Sequence, residues 1–149
     1  MRLVGVLAVA GLVLAGCAND TNHADGATAD RMIEVTMRDN RFEPSSISIK
    51  EGETVRFRFT NRGELGHEAL VGDEDAQVAH SKEMMSGTTM MDSDGMGGMH
   101  HDGASDAVTV EPGGTMDLTR TFDKSGDFII GCHVPGHYES GMKATIEVT

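Results

Sequence analysis

The clearest pattern in the chain is an alternation of apolar and polar residues between positions 32 and 149. A period of two is typical of half-buried β-strands, because successive side chains point to opposite faces. In the best run, Val55, Phe57 and Phe59 alternate with two arginines, which predicts one buried and one solvated face. The positions that share an inward phase are Ile33, Val35, Met37, Ile47, Ile49, Val55, Phe57, Phe59, His67, Ala69, Val71, Val108, Val110, Met116, Leu118, Phe122, Phe128, Ile130, Cys132, Val134, Ala144, Ile146 and Val148.

Turn-forming residues separate these runs into about seven or eight short strands. The turns are predicted at Glu43-Pro44-Ser45, Glu51-Gly52-Glu53, Asn61-Arg62-Gly63 and Pro112-Gly113-Gly114. Short strands at this spacing predict an all-β sandwich with a Greek key. A short helix is expected only at 75–85, and 149 residues suit a single domain.

The segment 80–106 does not fit the strand pattern. It holds six Met and three His among Gly, Ser, Thr and Asp. One interpretation is a polar excursion without structure of its own. The other is a labile copper site, separate from any site at 132–142, since thioethers select Cu(I) and imidazoles bind Cu(II). The candidate ligands of that second site are His80, Met84, Met85, Met90, Met91, Met96, Met99, His100 and His101.

The N-terminal residues predict export and anchoring. Arg2 precedes an apolar run at 3–14, which has the length of the apolar core of a signal peptide and is short for a membrane span. Leu14-Ala15-Gly16-Cys17 resembles a bacterial lipobox. We therefore expect a signal peptide at 1–16, a lipid on Cys17, and a tether at 17–31 that holds the domain at a membrane in the periplasm or at the cell surface. An ordinary signal peptide and an uncleaved anchor remain alternatives.

Composition excludes several functions. A formal charge of −12 disfavours binding to nucleic acid and to anionic lipid surfaces. No Ser/His/Asp constellation, phosphate-binding loop or paired-carboxylate motif stands out, so we do not expect an enzyme. The acidic surface suits a partner protein with a basic docking patch. We expect a monomer.

The cysteine count raises a question about Cys132. If Cys17 carries lipid, Cys132 has no disulfide partner, because the chain has two cysteines. A lone thiol is a liability in an oxidising compartment and needs an explanation. A bound metal is one explanation, and a buried free cysteine is another.

The segment 132–142, which reads CHVPGHYESGM, places a thiol, an imidazole and a thioether within eleven residues. One turn can bring Cys132, His137 and Met142 to a single point, and the best fourth candidate is His67 at the start of a predicted strand. Two imidazoles, one thiolate and a long thioether contact form the site type of blue-copper electron transfer. His133 is expected on the other face of the segment.

Other metals fit this segment less well. Zinc sites take more Cys or His ligands, and a thioether is a poor zinc ligand. A dinuclear copper site like that of oxidase subunit II needs a second cysteine in the loop, which the chain lacks.

The segment 32–149 resembles the cupredoxins, the plastocyanin- and azurin-like family of type 1 copper proteins. The resemblance rests on the 132–142 motif, on His67, on Phe42-Glu43-Pro44 and on Gly52-Glu53-Thr54-Val55. It implies a Greek-key β-sandwich with one mononuclear copper near one end. The implied ligands are His67, Cys132 and His137 in the equatorial plane, with Met142 axial.

Two departures from the family bear on function. Glu68 stands where plastocyanin-like proteins often have an Asn, which leaves the support of the Cys sulfur open. The Met/His-rich segment at 80–106 makes the chain look more like cupredoxins found among bacterial copper-handling proteins. We expect an extracytoplasmic one-electron carrier that cycles between Cu(I) and Cu(II). The alternatives are a copper-tolerance or copper-delivery protein and a tethered structural β-domain without metal.

Overall fold

The computed structural model describes residues 28–86 and 106–149, with only the backbone for Met85 and Ser86. The predicted signal peptide, the lipidation at Cys17 and most of the Met/His-rich segment lie outside these residues. The elements are β1 Arg31–Arg38, β2 Arg41–Glu43, β3 Ser46–Ile49, β4 Thr54–Asn61, β5 His67–Gly72, α1 Glu74–Ser86, β6 Ala107–Val110, β7 Thr115–Thr121, β8 Gly126–Gly131 and β9 Lys143–Val148.

Two sheets form the predicted β-sandwich. One sheet has the strand order β2-β1-β4-β7 and the other β3-β9-β8-β5-β6. Strands β1 and β4 pair in parallel, as do β3 and β9, and the remaining pairs are antiparallel. The described residues contain nine strands, so the prediction of seven or eight was too low. The strand without a sequence signal is β2, whose three residues bury only Phe42 and cannot display a period of two.

The core lies between the sheets and follows the predicted phases. Val55, Phe57 and Phe59 of β4 have no exposed surface. The Phe57 ring lies 5.9 Å from that of Phe59 and 6.2 Å from that of Phe122, between ring centroids. Strand β9 alternates strictly between exposed and buried residues. The interior is therefore a packed apolar layer between the two sheets.

One strand and one residue depart from the predicted alternation. All six residues of β5 are buried, Glu68 and Leu70 included, because helix α1 packs against the outer face of the strand. Met116 is 47% exposed although its phase predicts burial, since it lies near the start of β7 at the edge of its sheet.

The helix expected at 75–85 is α1, which spans Glu74–Ser86. The Asp73 carboxylate caps it by accepting a hydrogen bond of 2.9 Å from the Ala76 backbone N–H. Residues 80–86, which open the Met/His-rich segment, form the last two turns of this helix, so that segment is not without structure throughout. Those turns contain no Gly or Pro, so the helix continues until the glycine-rich sequence that follows. In the part of the chain described, no helix has the length and apolar character needed to cross a membrane.

Candidate metal centre

Three side chains from separate parts of the chain converge at one buried point. Cys132 follows β8, His137 lies in the turn beyond it, and His67 begins β5. The Cys132 Sγ is 3.5 Å from the His137 Nδ1 and 3.9 Å from the His67 Nδ1. The donor atoms of the three residues all lie within 4.8 Å of one another. Both rings thus direct Nδ1 at the sulfur, which is the arrangement of ligands around one ion.

Backbone hydrogen bonds fold the 132–142 segment into the required turn. The Cys132 N–H donates to the Met142 carbonyl at 3.2 Å, and the Met142 N–H donates to the His137 carbonyl at 2.9 Å. Gly136 and Gly141 have φ values of +86° and +96°, a region that residues with a side chain rarely adopt. These contacts bring both ends of the segment together and bury the Met142 side chain in the same core cluster as Cys132.

The position of His67 depends on Asn61, which the sequence analysis read only as the end of a strand. The Asn61 side chain is fully buried, and its Nδ2 donates to the carbonyls of Leu65 at 2.7 Å and Val110 at 2.8 Å. Its Oδ1 accepts a 2.9 Å hydrogen bond from the Gly63 N–H. Asn61 therefore fixes the loop that leads into β5. A polar residue at an inward position of β4 is a sequence signal that would have identified it.

Asp39 supports the same loop from outside and was also missed. Its Oδ1 accepts hydrogen bonds from the backbone N–H groups of Glu64 and Leu65, at 2.7 and 3.1 Å, and lies 3.5 Å from the His67 Nε2. These backbone donors hold the pKa of Asp39 below its ordinary value. The carboxylate therefore faces the outer nitrogen of the ring while the Nδ1 faces the sulfur.

Burial sets the protonation of the candidate ligands. It lowers the pKa of His67, and the neighbouring His137 lowers it further, so the imidazole keeps a free lone pair. Burial raises the pKa of the Cys132 thiol, opposed by backbone hydrogen bonds from Glu68 and Val134 to the sulfur. The metal-free protein therefore holds a thiol, and metal binding must release its proton.

The donor set fits copper. One thiol sulfur and two imidazole nitrogens meet in a site where Cys132 and His67 have no exposed surface. Soft sulfur favours Cu(I), and imidazole accepts both oxidation states. A free buried cysteine would not require two imidazole nitrogens directed at its sulfur.

The other sequence-predicted metal ligands lie elsewhere or are not described. His80 is on α1 and is not part of the group around Cys132. Met84 is on the same helix and is 42% exposed. Only the backbone of Met85 is described, and the remaining members of the predicted second site lie outside the described residues. His133 faces away from the Cys132 sulfur as expected, and its ring stacks on that of Tyr138 at 4.5 Å.

We expect Asn61→Ala to lower the free energy of unfolding by about 1–3 kcal/mol, because it removes one hydrogen bond to the buried Val110 carbonyl and two part-buried ones, to the Leu65 carbonyl and from the Gly63 N–H. Thr60→Ala is the matched control, since Thr60 bonds only the exposed Thr115 hydroxyl through its side chain. Urea unfolding followed by circular dichroism measures both. Equal midpoints for the two variants would contradict the role assigned to Asn61.

Comparisons with known proteins agree with this site. A family model described as a cupredoxin-like domain matches residues 6–90, a range that includes His67 and ends before Cys132. The copper-resistant cuproprotein CopI of Pseudomonas aeruginosa is 38% identical over 84% of this chain and 80% of its own. The CopI protein of Rubrivivax gelatinosus is 35% identical over 83% and 70%.

Solved structures show the same fold. Auracyanin B aligns with a TM-score of 0.64 and 20% identity, over 84% of this chain and 93% of its own. The auracyanin of Roseiflexus castenholzii aligns with a TM-score of 0.63 and 22% identity, over 82% and 99%. The similarity in structure therefore extends over most of the chain.

Proposed function

This chain belongs to the family of cupredoxin-like proteins and binds copper, and we propose that it holds one type 1 copper as a one-electron carrier. The observation that carries the proposal is the convergence of the Cys132 sulfur with the Nδ1 atoms of His67 and His137. In the proposal these three residues would hold the ion together with the thioether of the buried Met142. Copper bound there supplies a Cu(I)/Cu(II) couple.

The protein's own contribution is a fixed and dry ligand set. Cys132 and Met142 are joined by a backbone hydrogen bond, and His67 begins a strand that is buried on both faces. A ligand set that the sandwich holds in place changes little between oxidation states, so reorganisation on electron transfer stays small. Burial also keeps solvent from the Cys132 sulfur.

The test is reconstitution of the full chain with Cu(II), followed by visible absorption and electron paramagnetic resonance. We expect an intense thiolate-to-copper band, a narrow copper hyperfine splitting, and reversible loss of both on reduction and reoxidation. A protein that binds one copper without such a band, or that loses the ion on reduction, would contradict the proposed carrier function.

The acidic surface predicts the partner. The protein has a formal charge of −12, so it should associate with a redox partner that carries a basic docking patch. The rate of electron transfer between the two should fall as ionic strength rises. Stopped-flow oxidation of the reduced protein by a basic c-type cytochrome, measured from about 10 mM to 0.5 M salt, tests this. A rate indifferent to salt would count against an electrostatic docking surface.

We also propose an extracytoplasmic location with a lipid anchor on Cys17. The support is the apolar run at 3–14 and the lipobox-like residues before Cys17. Cys17→Ser should move the protein from the membrane fraction to the soluble fraction of its host. Retention of this variant in the membrane fraction would contradict the anchor.

Copper tolerance is the second candidate function, and two observations favour it. The relatives at 38% and 35% identity are named copper-resistant cuproproteins. The segment 88–105 carries Met pairs and two adjacent His, which suit bound copper as cargo. In this proposal the segment binds a second, labile copper.

Deletion of 88–105 separates the two functions. We expect the deleted form to keep the blue band and to bind fewer Cu(I) ions than the full chain, because the soft thioethers are removed. Native mass spectrometry counts the bound ions, and growth of the host in copper measures tolerance. Equal Cu(I) stoichiometry in the two forms would exclude the labile site.

A further inference from the structure

A second cluster of metal-ligating side chains lies behind the first. Consecutive residues of an extended segment point to opposite faces, so Glu68 and His133 face away from the site to which His67 and Cys132 contribute. Helix α1 packs on that outer face and brings His80 to Glu68. One carboxylate and two imidazoles, from β5, from α1 and from the 132–142 segment, thus meet on the outer face.

The hydrogen bond to Gln77 determines which ring nitrogen of His133 carries the proton. The Gln77 Nε2 donates to the backbone carbonyls of Leu70, Gly72 and Ile129, at 3.3, 3.4 and 3.0 Å. Its Oε1 is therefore the acceptor, and the His133 Nε2 at 2.8 Å must be the donor. In the neutral ring the lone pair is then on Nδ1. A hydrogen bond from the far nitrogen to a carbonyl is also how proteins orient a metal-ligating histidine.

One oxygen of the Glu68 carboxylate is buried without a hydrogen-bond partner. Its Oε1 lies 2.9 Å from the His80 Nε2, while its Oε2 is buried and has no hydrogen-bond partner. The residue as a whole is only 9% exposed. A buried carboxylate oxygen without a donor destabilises the fold, and more so when it is charged. A cation bound at Oε2 would remove that cost.

We propose that Glu68, His80 and His133 form a second metal site, which takes a divalent ion through oxygen and nitrogen donors. Two donors 2.9 Å apart suit one ion with metal–ligand distances of about 2.0–2.2 Å. The His80 and His133 rings are 5.2 Å apart between centroids. In the described residues only the Cys132 group has all its donors within 4.8 Å, so this second site closes by movement of His80, whose side chain is 21% exposed.

The ion is Cu(II). A site of two imidazoles and a carboxylate binds Cu(II) more tightly than the other divalent ions of the first row. The choice of copper over zinc rests on the proposed copper-handling function, which brings that ion to the protein. His80 lies on α1 and is also the first residue of the Met/His-rich segment, so the site and that segment share a ligand candidate.

The test titrates Cu(II) into the full chain whose Cys132 site is already filled. We expect a second equivalent with a wide copper hyperfine splitting in electron paramagnetic resonance. His80→Asn and Glu68→Gln should each weaken this binding at least about 10-fold in chelator competition, because one replaces an imidazole and the other a charged carboxylate by a neutral amide. His80→Asn should leave the blue band unchanged, which shows that the variant is folded and that the first site is intact.

The matched control is the double variant His100→Ala/His101→Ala, which removes the other histidines of the Met/His-rich segment. Retention of the second equivalent in this control, together with its loss in His80→Asn, supports the site. Loss in the control with retention in His80→Asn would overturn it, as would a wild-type chain that takes no second Cu(II). The blue band is recorded in every sample, so failure of the second site is distinguishable from failure of the proposed type 1 centre.

Discussion

Replacing Cys132 by serine should abolish the intense visible band of the copper-loaded protein and weaken Cu(I) binding by at least about 100-fold. The sulfur is the atom on which the two Nδ1 atoms converge, at 3.5 and 3.9 Å. A serine oxygen is a hard donor and does not form the charge-transfer transition of a copper thiolate. Visible absorption measures the first effect, and competition with a Cu(I) chelator measures the second.

The matched control is Cys17→Ser, which alters the other cysteine of the chain. It should keep the full band, since the band requires only the Cys132 thiolate. Serine has nearly the volume of cysteine, so the Cys132→Ser fold should persist, and circular dichroism checks this. Survival of the blue band in Cys132→Ser would show that the Cys132 thiolate is not a ligand of the copper.

Replacing Phe57 by alanine should lower the free energy of unfolding by about 3–5 kcal/mol. The ring has no exposed surface and contacts the rings of Phe59 and Phe122 between the two sheets. Removal of the ring leaves a cavity that the rigid strands cannot fill. Denaturant unfolding of the metal-free protein, followed by circular dichroism, gives the value without a contribution from bound copper.

Met116→Ala is the control on the same sheet. Met116 pairs in register with Phe59 across β4 and β7, yet it is 47% exposed. Its removal should change the free energy of unfolding by about 0.5 kcal/mol or less. If Met116→Ala cost as much as Phe57→Ala, the core would not lie between the sheets as described.

Most of the β-sandwich was predictable because its signal is local. A strand with one solvent-exposed face must alternate apolar and polar residues, so the inward apolar residues of β4 and β9 were predicted at their observed positions. The alternation fails where burial comes from a distant element. Glu68 and Leu70 are buried by helix α1, and the local sequence pattern does not predict that contact.

The candidate metal ligands were predictable for a chemical reason. Cys132 and His137 are five residues apart around a Pro-Gly turn, so their proximity is a local property. His67 was inferred from ligand chemistry, since two imidazoles and one thiolate complete a trigonal set, and the structure places its Nδ1 at 3.9 Å from the sulfur. The axial role of Met142 remains a prediction that the copper spectrum will test.

The sequence by itself determined all but the shortest strand, most of the inward faces and the donor types gathered at Cys132, because each depends on neighbours within a few residues or on the residue types that copper requires. Only the tertiary structure decided which polar residues support that centre. Asn61 bonds to Val110 and Gln77 bonds to Ile129 and His133, across 49, 52 and 56 positions of the chain. A hydrogen bond depends on distance in space, and the packing of the two sheets and of α1 sets that distance.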